Sequence, residues 1–308
     1  MQRTSFPRMK FFAFLFAATI LPIALLYGCS DSDRVWVDFS KRIDVSRSEK
    51  PQPGTALNVA IASMISPNET IVHYQALLEY LAAKVGRKIN LVQRKTYVEI
   101  NGLLASGGID LAFICSGPYA SGKDRYHFEA LAVPVIHQKA VYRAYLITSQ
   151  DSPIMQLDDL RGKMFAFSDP DSNAGCIVPR FLLALKGERP ESFFGKTIFT
   201  HSHDNSILAV SRSLVDGAFV HEHIWEYYSQ KNPASVSRVR IVYASEPFGN
   251  PPLVASASMP AALKNRIREL LFCMHNDPRG AEILRELLID HFIPLDEPLY
   301  EPIRHMLA

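Results

Sequence analysis

No charge of either sign predominates in this chain. Its 33 basic and 31 acidic side chains leave a formal charge of +2, so it lacks the basic field that holds a nucleic acid. Cysteine is scarce, with four in 308 residues. Setting Cys29 aside, the three others, Cys115, Cys176 and Cys273, are an odd number. In an exported chain that excludes a complete disulfide framework and leaves at least one thiol free. No GxSxG elbow and no HExxH helix occurs. Gly195-Lys196-Thr197 imitates the end of a Walker loop, but Pro190 stands where its first glycine is required. Catalytic machinery and a cofactor are therefore not expected.

A long apolar run is also missing. Residues 11–26 are apolar almost throughout, but that stretch is short for a spanning helix and Pro22 interrupts it. Arg3, Arg8 and Lys10 precede it, which is the order of an export signal. It ends in Leu26-Tyr27-Gly28-Cys29, which resembles a bacterial lipobox, with a bulky Tyr27 in its second position, two before the cysteine. The expectation is a signal peptide over residues 1–28 and a diacylated Cys29, since two acyl chains suffice for stable anchoring. The mature protein would then face the periplasm from a membrane. Residues 29–56, polar and closed by Pro51, Pro53 and Gly54, form a tether. A flexible chain of that length reaches roughly 25–30 Å.

The strongest internal signal is an echo at an offset of 106 residues. Asn58-Val59-Ala60-Ile61-Ala62-Ser63 matches Met164-Phe165-Ala166-Phe167-Ser168-Asp169, and Ile109-Asp110-Leu111-Ala112-Phe113-Ile114 matches Val215-Asp216-Gly217-Ala218-Phe219-Val220. Helix-like stretches at 98–106 and 204–212 precede the later strand of each half. The alternation of strand and helix implies parallel sheets with right-handed crossovers. It predicts an α/β protein of two lobes, 57–145 with 245–308 and 146–244. Strand-like runs at 141–149 and 238–244 would carry the chain between them. Ser66-Pro67-Asn68-Glu69 reads as a capping box opening a helix with an apolar stripe of Ile71, Tyr74, Leu78, Leu81 and Val85, stopped at Gly86. Ile177, Val178, Phe181, Leu182 and Leu185, stopped at Gly187, make the equivalent stripe of the second half. Residues 260–306 read as helical and returning to the first lobe.

In open α/β sheets a ligand sits beyond the carboxyl ends of the strands. The repeat names the residues there: Ser66, Tyr97, Cys115, Ser116 and Tyr119 in the first half, and Ser172, Asn173, Ala174, Gly175, His203, His221 and Glu222 in the second. Hydroxyls, imidazoles and helix starts dominate this set. Exposed N–H groups at helix starts favour an anion, and the symmetry of Ser66 with Ser172 suggests a clamp made by both lobes. Cys176, in the first turn of its helix, would have its thiol pKa lowered by the helix dipole. A second reading takes His201, His203, His221 and His223 with Glu222 as zinc ligands. Asp110 and Asp216, offered as a catalytic pair, occupy equivalent places just inside strands, where turn or cap roles fit better.

Asp169-Pro170-Asp171-Ser172-Asn173-Ala174-Gly175 resembles the DPxS[TN]xG signature of PhnD-like proteins, the substrate-binding components of phosphate, phosphite and phosphonate ABC transporters. Ser202-His203-Asp204-Asn205-Ser206 with Val215-Asp216-Gly217-Ala218 resembles their second motif, and Ile109-Asp110-Leu111-Ala112 with Gly117-Pro118-Tyr119 their first-lobe motif. The likeness spans about residues 57–300. It implies a type II periplasmic-binding fold hinged by two crossing strands, a monomer that binds a small oxyanion, and a transporter permease as partner. It also implies oxyanion contacts from Ser172, Asn173, His203 and Tyr119. The chain departs from the pattern at residues 245–252, which lack an acid where aminophosphonate binders hold the substrate amine. Cys115 gives it a likeness to the branch of arsenite-sensing lipoproteins that work with a sensor kinase. If the lipobox is used, Cys29→Ser should release the protein from membranes or block its maturation, and fractionation checks this; a mutant of mature size still in the membrane fraction would refute it.

Overall fold

The computed structural model describes residues 56–308. The signal peptide, Cys29 and tether expected before them lie outside the described residues. Among the described residues no helix is long and apolar enough to cross a membrane.

Strand β1 (Ala56–Ile61) leads into helix α1 (Pro67–Val85). Pro67 sets the first helical φ without wasting a donor, and Gly86 at φ 69° stops the helix in a left-handed cap, its N–H bonded to the Ala82 carbonyl. Leu77, Leu78, Leu81 and Val85 are buried beneath it, whereas Ile71 at the exposed start of the stripe is not. β2 (Lys88–Val92), α2 (Tyr97–Ser106), β3 (Leu111–Phe113), α3 (Ser116–Tyr126) and β4 (Glu129–Val135) complete the first pass. The chain then crosses on β5 (Val141–Tyr142) and β6 (Ala144–Ser149). The second half repeats the order with β7 (Met164–Phe167), a π-turn at Asn173–Ile177 running into α4 (Val178–Ala184), β8 (Lys196–Phe199), α5 (His203–Ser211), β9 (Gly217–His221) and α6 (Glu222–Lys231). β10 (Val239–Ala244) and β11 (Phe248–Gly249) bring it back. β12 (Leu253–Ala255), α7 (Ala261–Cys273), α8 (Pro278–Glu286), β13 (His291–Ile293) and α9 (Glu301–Leu307) finish it. The C-terminal stretch is thus not wholly helical: His291–Ile293 pairs with β4 at the sheet edge.

Two sheets result. The first has the order β13-β4-β12-β3-β1-β2 and the second β10-β6-β9-β7-β8. In each, the three strands that belong to the repeat are parallel, and the strands that arrive from the crossings or the C-terminus are antiparallel. Between the sheets, β5 and β11 form a two-stranded antiparallel ladder, Tyr142 opposite Phe248. This is the α/β, two-lobed arrangement with two crossings.

The 106-residue echo has a physical basis in each lobe. Asp110 Oδ2 accepts from Asn58 N at 2.8 Å, and Asp216 Oδ2 accepts from Met164 N at 2.7 Å. Each aspartate, just before the third strand, fixes the start of the first. These are structural roles, and the two groups sit in separate sheets rather than forming a catalytic pair.

The C-terminal helix is fastened to α3 by a charge cluster. Glu297 takes a hydrogen bond from Tyr119 at 2.6 Å and ion pairs from Lys123 and, at 2.8 Å, from Arg304. Burial works to raise the Glu297 pKa, but the bonds from Lys123, Tyr119 and Arg304 outweigh it and bring it down to about 2. A carboxyl depressed in the folded state adds stability that is present above its unfolded pKa and is lost as pH falls through the folded value. Glu297→Gln should therefore flatten the loss of stability between about pH 4.5 and pH 2 in denaturant titrations. An unchanged slope would show that the cluster contributes nothing.

Candidate functional site

The repeat brings matched positions to the facing edges of the two sheets. Ser66 and Ser172 cap the first helix of each lobe, Tyr97 and His203 open the second, and Cys115 and His221 precede the third. Tyr97, Cys115, Ser172, Asn173, Ala174, His203 and His221 are all buried, none more than 2% exposed. Gly175 is buried with them. A Cβ at Gly175 would stand 1.9 Å from Ser168 Oγ, so the turn can press against β7 only because the residue is glycine.

Polar satisfaction breaks down at this place. Eight buried side-chain polar atoms among the described residues have no partner, and six of them are here: Tyr97 Oη, Ser168 Oγ, Asn173 Oδ1, His201 Nδ1, His203 Nδ1 and His221 Nε2. An unpaired buried polar group costs about 1–3 kcal/mol. Six together amount to a penalty on the scale of a domain's entire net stability. A fold keeps such a cluster where a partner from outside the chain, water or ligand, completes the bonds.

The hydrogen-bond network assigns the protons. His221 Nδ1 accepts from His223 N at 3.2 Å, which puts the ring proton on the unpaired Nε2. Ser172 Oγ already accepts from Gly175 N at 3.1 Å and lies 3.5 Å from His203 Nε2. With the serine hydroxyl hydrogen turned to that nitrogen, the His203 ring carries its proton on the unpaired Nδ1. Both rings are neutral at pH 7. Burial brings His203 down to about 3, and burial with the neighbouring His223 and His203 takes His221 well below its ordinary value. Tyr97 and Ser168 add free hydroxyls. Asn173 Nδ2 lies 2.8 Å from the Tyr142 hydroxyl. Exchanging the two ends of that amide keeps the heavy-atom geometry and frees an NH2 group. The site thus offers at least four neutral donors and no lysine or arginine among them. Such a surface is chemically able to hold an oxyanion by hydrogen bonds alone.

The two-lobed clamp needs correction in its first-lobe half. The Ser66 side chain makes no capping bond. Instead its amide donates across the cleft to Asp204 Oδ1 at 2.9 Å, and the Tyr97 amide donates to Asp169 Oδ2 at 3.2 Å. His203 N in turn donates to the Met64 carbonyl at 2.9 Å. The N-termini of α1 and α2 already hold carboxylates of the second lobe, which satisfy their dipoles. An anion is left to the Ser172–Gly175 turn and the side chains around it. Gly117 serves the same contact, since a Cβ there would lie 2.3 Å from the Asp171 carbonyl.

Three other expected contacts point elsewhere. The Tyr119 hydroxyl is spent on Glu297, and its ring packs 4.7 Å from that of Tyr300, on the side of α3 facing the C-terminus. Glu222 accepts from Tyr145 Oη and from Arg143 N at the crossing strand. Ser116 Oγ donates to the Gly249 carbonyl at 2.6 Å, tying α3 to the same crossing. Glu222 is turned away from the imidazoles, so the set expected to hold zinc does not come together. Among the described residues no three His, Cys, Asp or Glu side chains converge as metal ligands. The thiols are not activated either. Burial raises Cys115 to about 11 and Cys176 to about 12, overriding the helix dipole expected to lower the latter.

Tyr142 was not visible from the sequence as a site residue. It comes from the crossing strand and stacks on His221 with 3.7 Å between ring centroids and 11° between planes. Ser168 was missed because it closes a strand rather than a motif, and its partner in the echo, Ala62, carries no polar group. Asp169 and Asp204 were inside the quoted motifs. Their role across the cleft has no local signature.

Residues 59–300 match the family model described as ABC transporter, phosphonate, periplasmic substrate-binding protein. The chain is 23% identical over 273 residues to the phosphonates-binding periplasmic protein of Escherichia coli (strain K12), covering 87% of this chain and 80% of the relative. It is 28% identical over 192 residues to the phosphate-import protein PhnD of Mycolicibacterium smegmatis, covering 56% of this chain and 59% of that one. Among solved structures it is similar to a binding protein component of an ABC phosphonate transporter from Pseudomonas aeruginosa. There the TM-score is 0.78 at 23% identity, over 82% of this chain and 85% of the other.

The cross-cleft carboxylates should govern how readily the lobes meet. Asp204→Ala removes a charged bond worth about 1.5–3 kcal/mol. The ligand-free protein should then expand in small-angle scattering and contract again when ligand is added. An unchanged radius of gyration would mean that this bond does not hold the lobes together.

Proposed function

The chain belongs to the family of phosphonate-type periplasmic substrate-binding proteins of ABC transporters, and from that premise we propose that it captures a phosphorus oxyanion of the phosphite, phosphate or phosphonate class between its lobes. Members of the family are binding proteins, not enzymes. The observation that carries the proposal is the group of unpaired neutral donors, Tyr97 Oη, Ser168 Oγ, His203 Nδ1 and His221 Nε2, gathered beside the Ser172–Gly175 turn.

A tetrahedral phosphorus oxyanion offers three oxygens (phosphite, phosphonate) or four (phosphate), each with lone pairs for one or more donors. Four hydroxyl and imidazole donors drawn from both lobes match that demand, and the turn adds its dipole. Because both lobes contribute, full coordination is reached only when they meet, which couples capture to closure. A permease reading the closed form would receive loaded protein. Diacylation at Cys29 would keep the binding protein near that permease.

The soft-ligand alternative, arsenite delivered to a sensor kinase, rests on Cys115, which lies in the same cluster of side chains as Tyr97. Its raised pKa leaves it a thiol at pH 7, which favours the hard oxyanion. Calorimetry with phosphite, phosphate, methylphosphonate and arsenite decides the matter. Ser172→Ala and His203→Ala should each weaken binding of the phosphorus ligand by about 1–3 kcal/mol, and Cys115→Ser should change it only slightly. Arsenite binding that vanishes in Cys115→Ser, with no heat from any phosphorus ligand, would reverse the assignment.

A further inference from the structure

A second compartment adjoins the donor cluster. It is a cavity of about 60 Å³ between α1 of the first lobe and α6 of the second. Its walls are mostly apolar and aromatic: Tyr74, Phe113, Ile136, Ile224, Tyr227 and Leu288. Two residues belong to both compartments. Met64 lies in the cluster with Cys115 and Tyr97 and receives the His203 amide, and His221 carries the unpaired Nε2. These two side chains place the cavity directly beside the donor cluster.

Resting on the phosphorus-oxyanion reading, we propose that this cavity receives the carbon substituent of a phosphonate and selects short uncharged chains over ammonium-bearing ones. The chemistry of the wall decides the class. No carboxylate lines it. The nearby Glu69 and Glu226 stand behind other groups, Glu69 as acceptor of the Tyr227 hydroxyl at 3.4 Å and Glu226 against His223 Nδ1 at 3.3 Å. His73, also in the wall, has its ring 4.1 Å from that of Tyr227 and is held neutral, its pKa brought to about 4 by burial and the charge of Lys231. An ammonium entering here would shed water and find no anion in return, whereas a methylene sheds water at a gain. Size sets the length. Space for one water-sized group takes about 15 Å³, so the cavity holds roughly four non-hydrogen atoms.

The test is a ligand series on the wild-type protein by calorimetry. Affinity should rise about fourfold per methylene from methyl- to ethyl- to propylphosphonate and fall for hexylphosphonate. Propylphosphonate should bind at least tenfold more tightly than its isostere 2-aminoethylphosphonate. Ile224→Trp, which fills the cavity, should erase the chain-length increment. If methylphosphonate binds but the series is flat, or if the aminoethyl compound binds as well as propyl, the cavity is not a substituent site while the oxyanion reading stands. If neither methylphosphonate, phosphite nor phosphate binds, the oxyanion reading fails and the cavity assignment fails with it.

Discussion

The arrangement of this protein hangs on two hydrogen bonds that run between its lobes. Asp169 and Asp204, both from the second lobe, accept from the amides of Tyr97 and Ser66 at the starts of first-lobe helices. A helix start carries partial positive charge and unbonded N–H groups, so a carboxylate is its natural partner. By supplying these partners from the other lobe, the chain turns two helix caps into contacts between lobes. The reciprocal bond from His203 N to the Met64 carbonyl sets the register. Tyr97, Ser172, His203 and His221 are brought to one buried centre as a consequence.

The same carboxylates favour neutral donors in the cleft. With the protein's own carboxylates at the first-lobe helix starts, a cationic side chain in the cleft would pair with them rather than with a ligand. Neutral imidazoles and hydroxyls avoid that competition. Burial keeps His203 and His221 uncharged, so each ring can donate from one nitrogen only. The ring stack of Tyr142 on His221 and the Gly249 carbonyl held by Ser116 attach the crossing strands to the same centre.

Much of this was legible before any coordinates. The echo at 106 residues marks equivalent strands, equivalent helix starts and the paired aspartates Asp110 and Asp216, because the backbone order of each lobe repeats and carries those positions with it. The Asp169-to-Gly175 motif was likewise visible as a polar, glycine-ended helix start, though not the π-turn that it forms. What could not be read was direction. Tyr119 follows a strand edge just as Cys115 does, but four residues further along a helix its side chain faces the C-terminal segment and meets Glu297. Glu222 follows His221 directly and so leaves on another face, towards Tyr145. Cys176 sits where a dipole would acidify it, yet burial outweighs the dipole. In each case the deciding neighbour lies far away in the chain.

The strand order of the first sheet has a consequence for how the molecule is made. β12 lies between β3 and β4, so those two strands, joined directly through α3, share no hydrogen bonds with one another. Until Leu253–Ala255 arrives, the sheet is two separate ribbons, one of β2, β1 and β3 and the other of β4 alone. The second sheet, by contrast, is complete once β10 has been made at Ala244. During vectorial emergence from a translocation channel, the second lobe can close its ladder while the first still waits for its middle rung. The part of the molecule that begins first is therefore the part that finishes last.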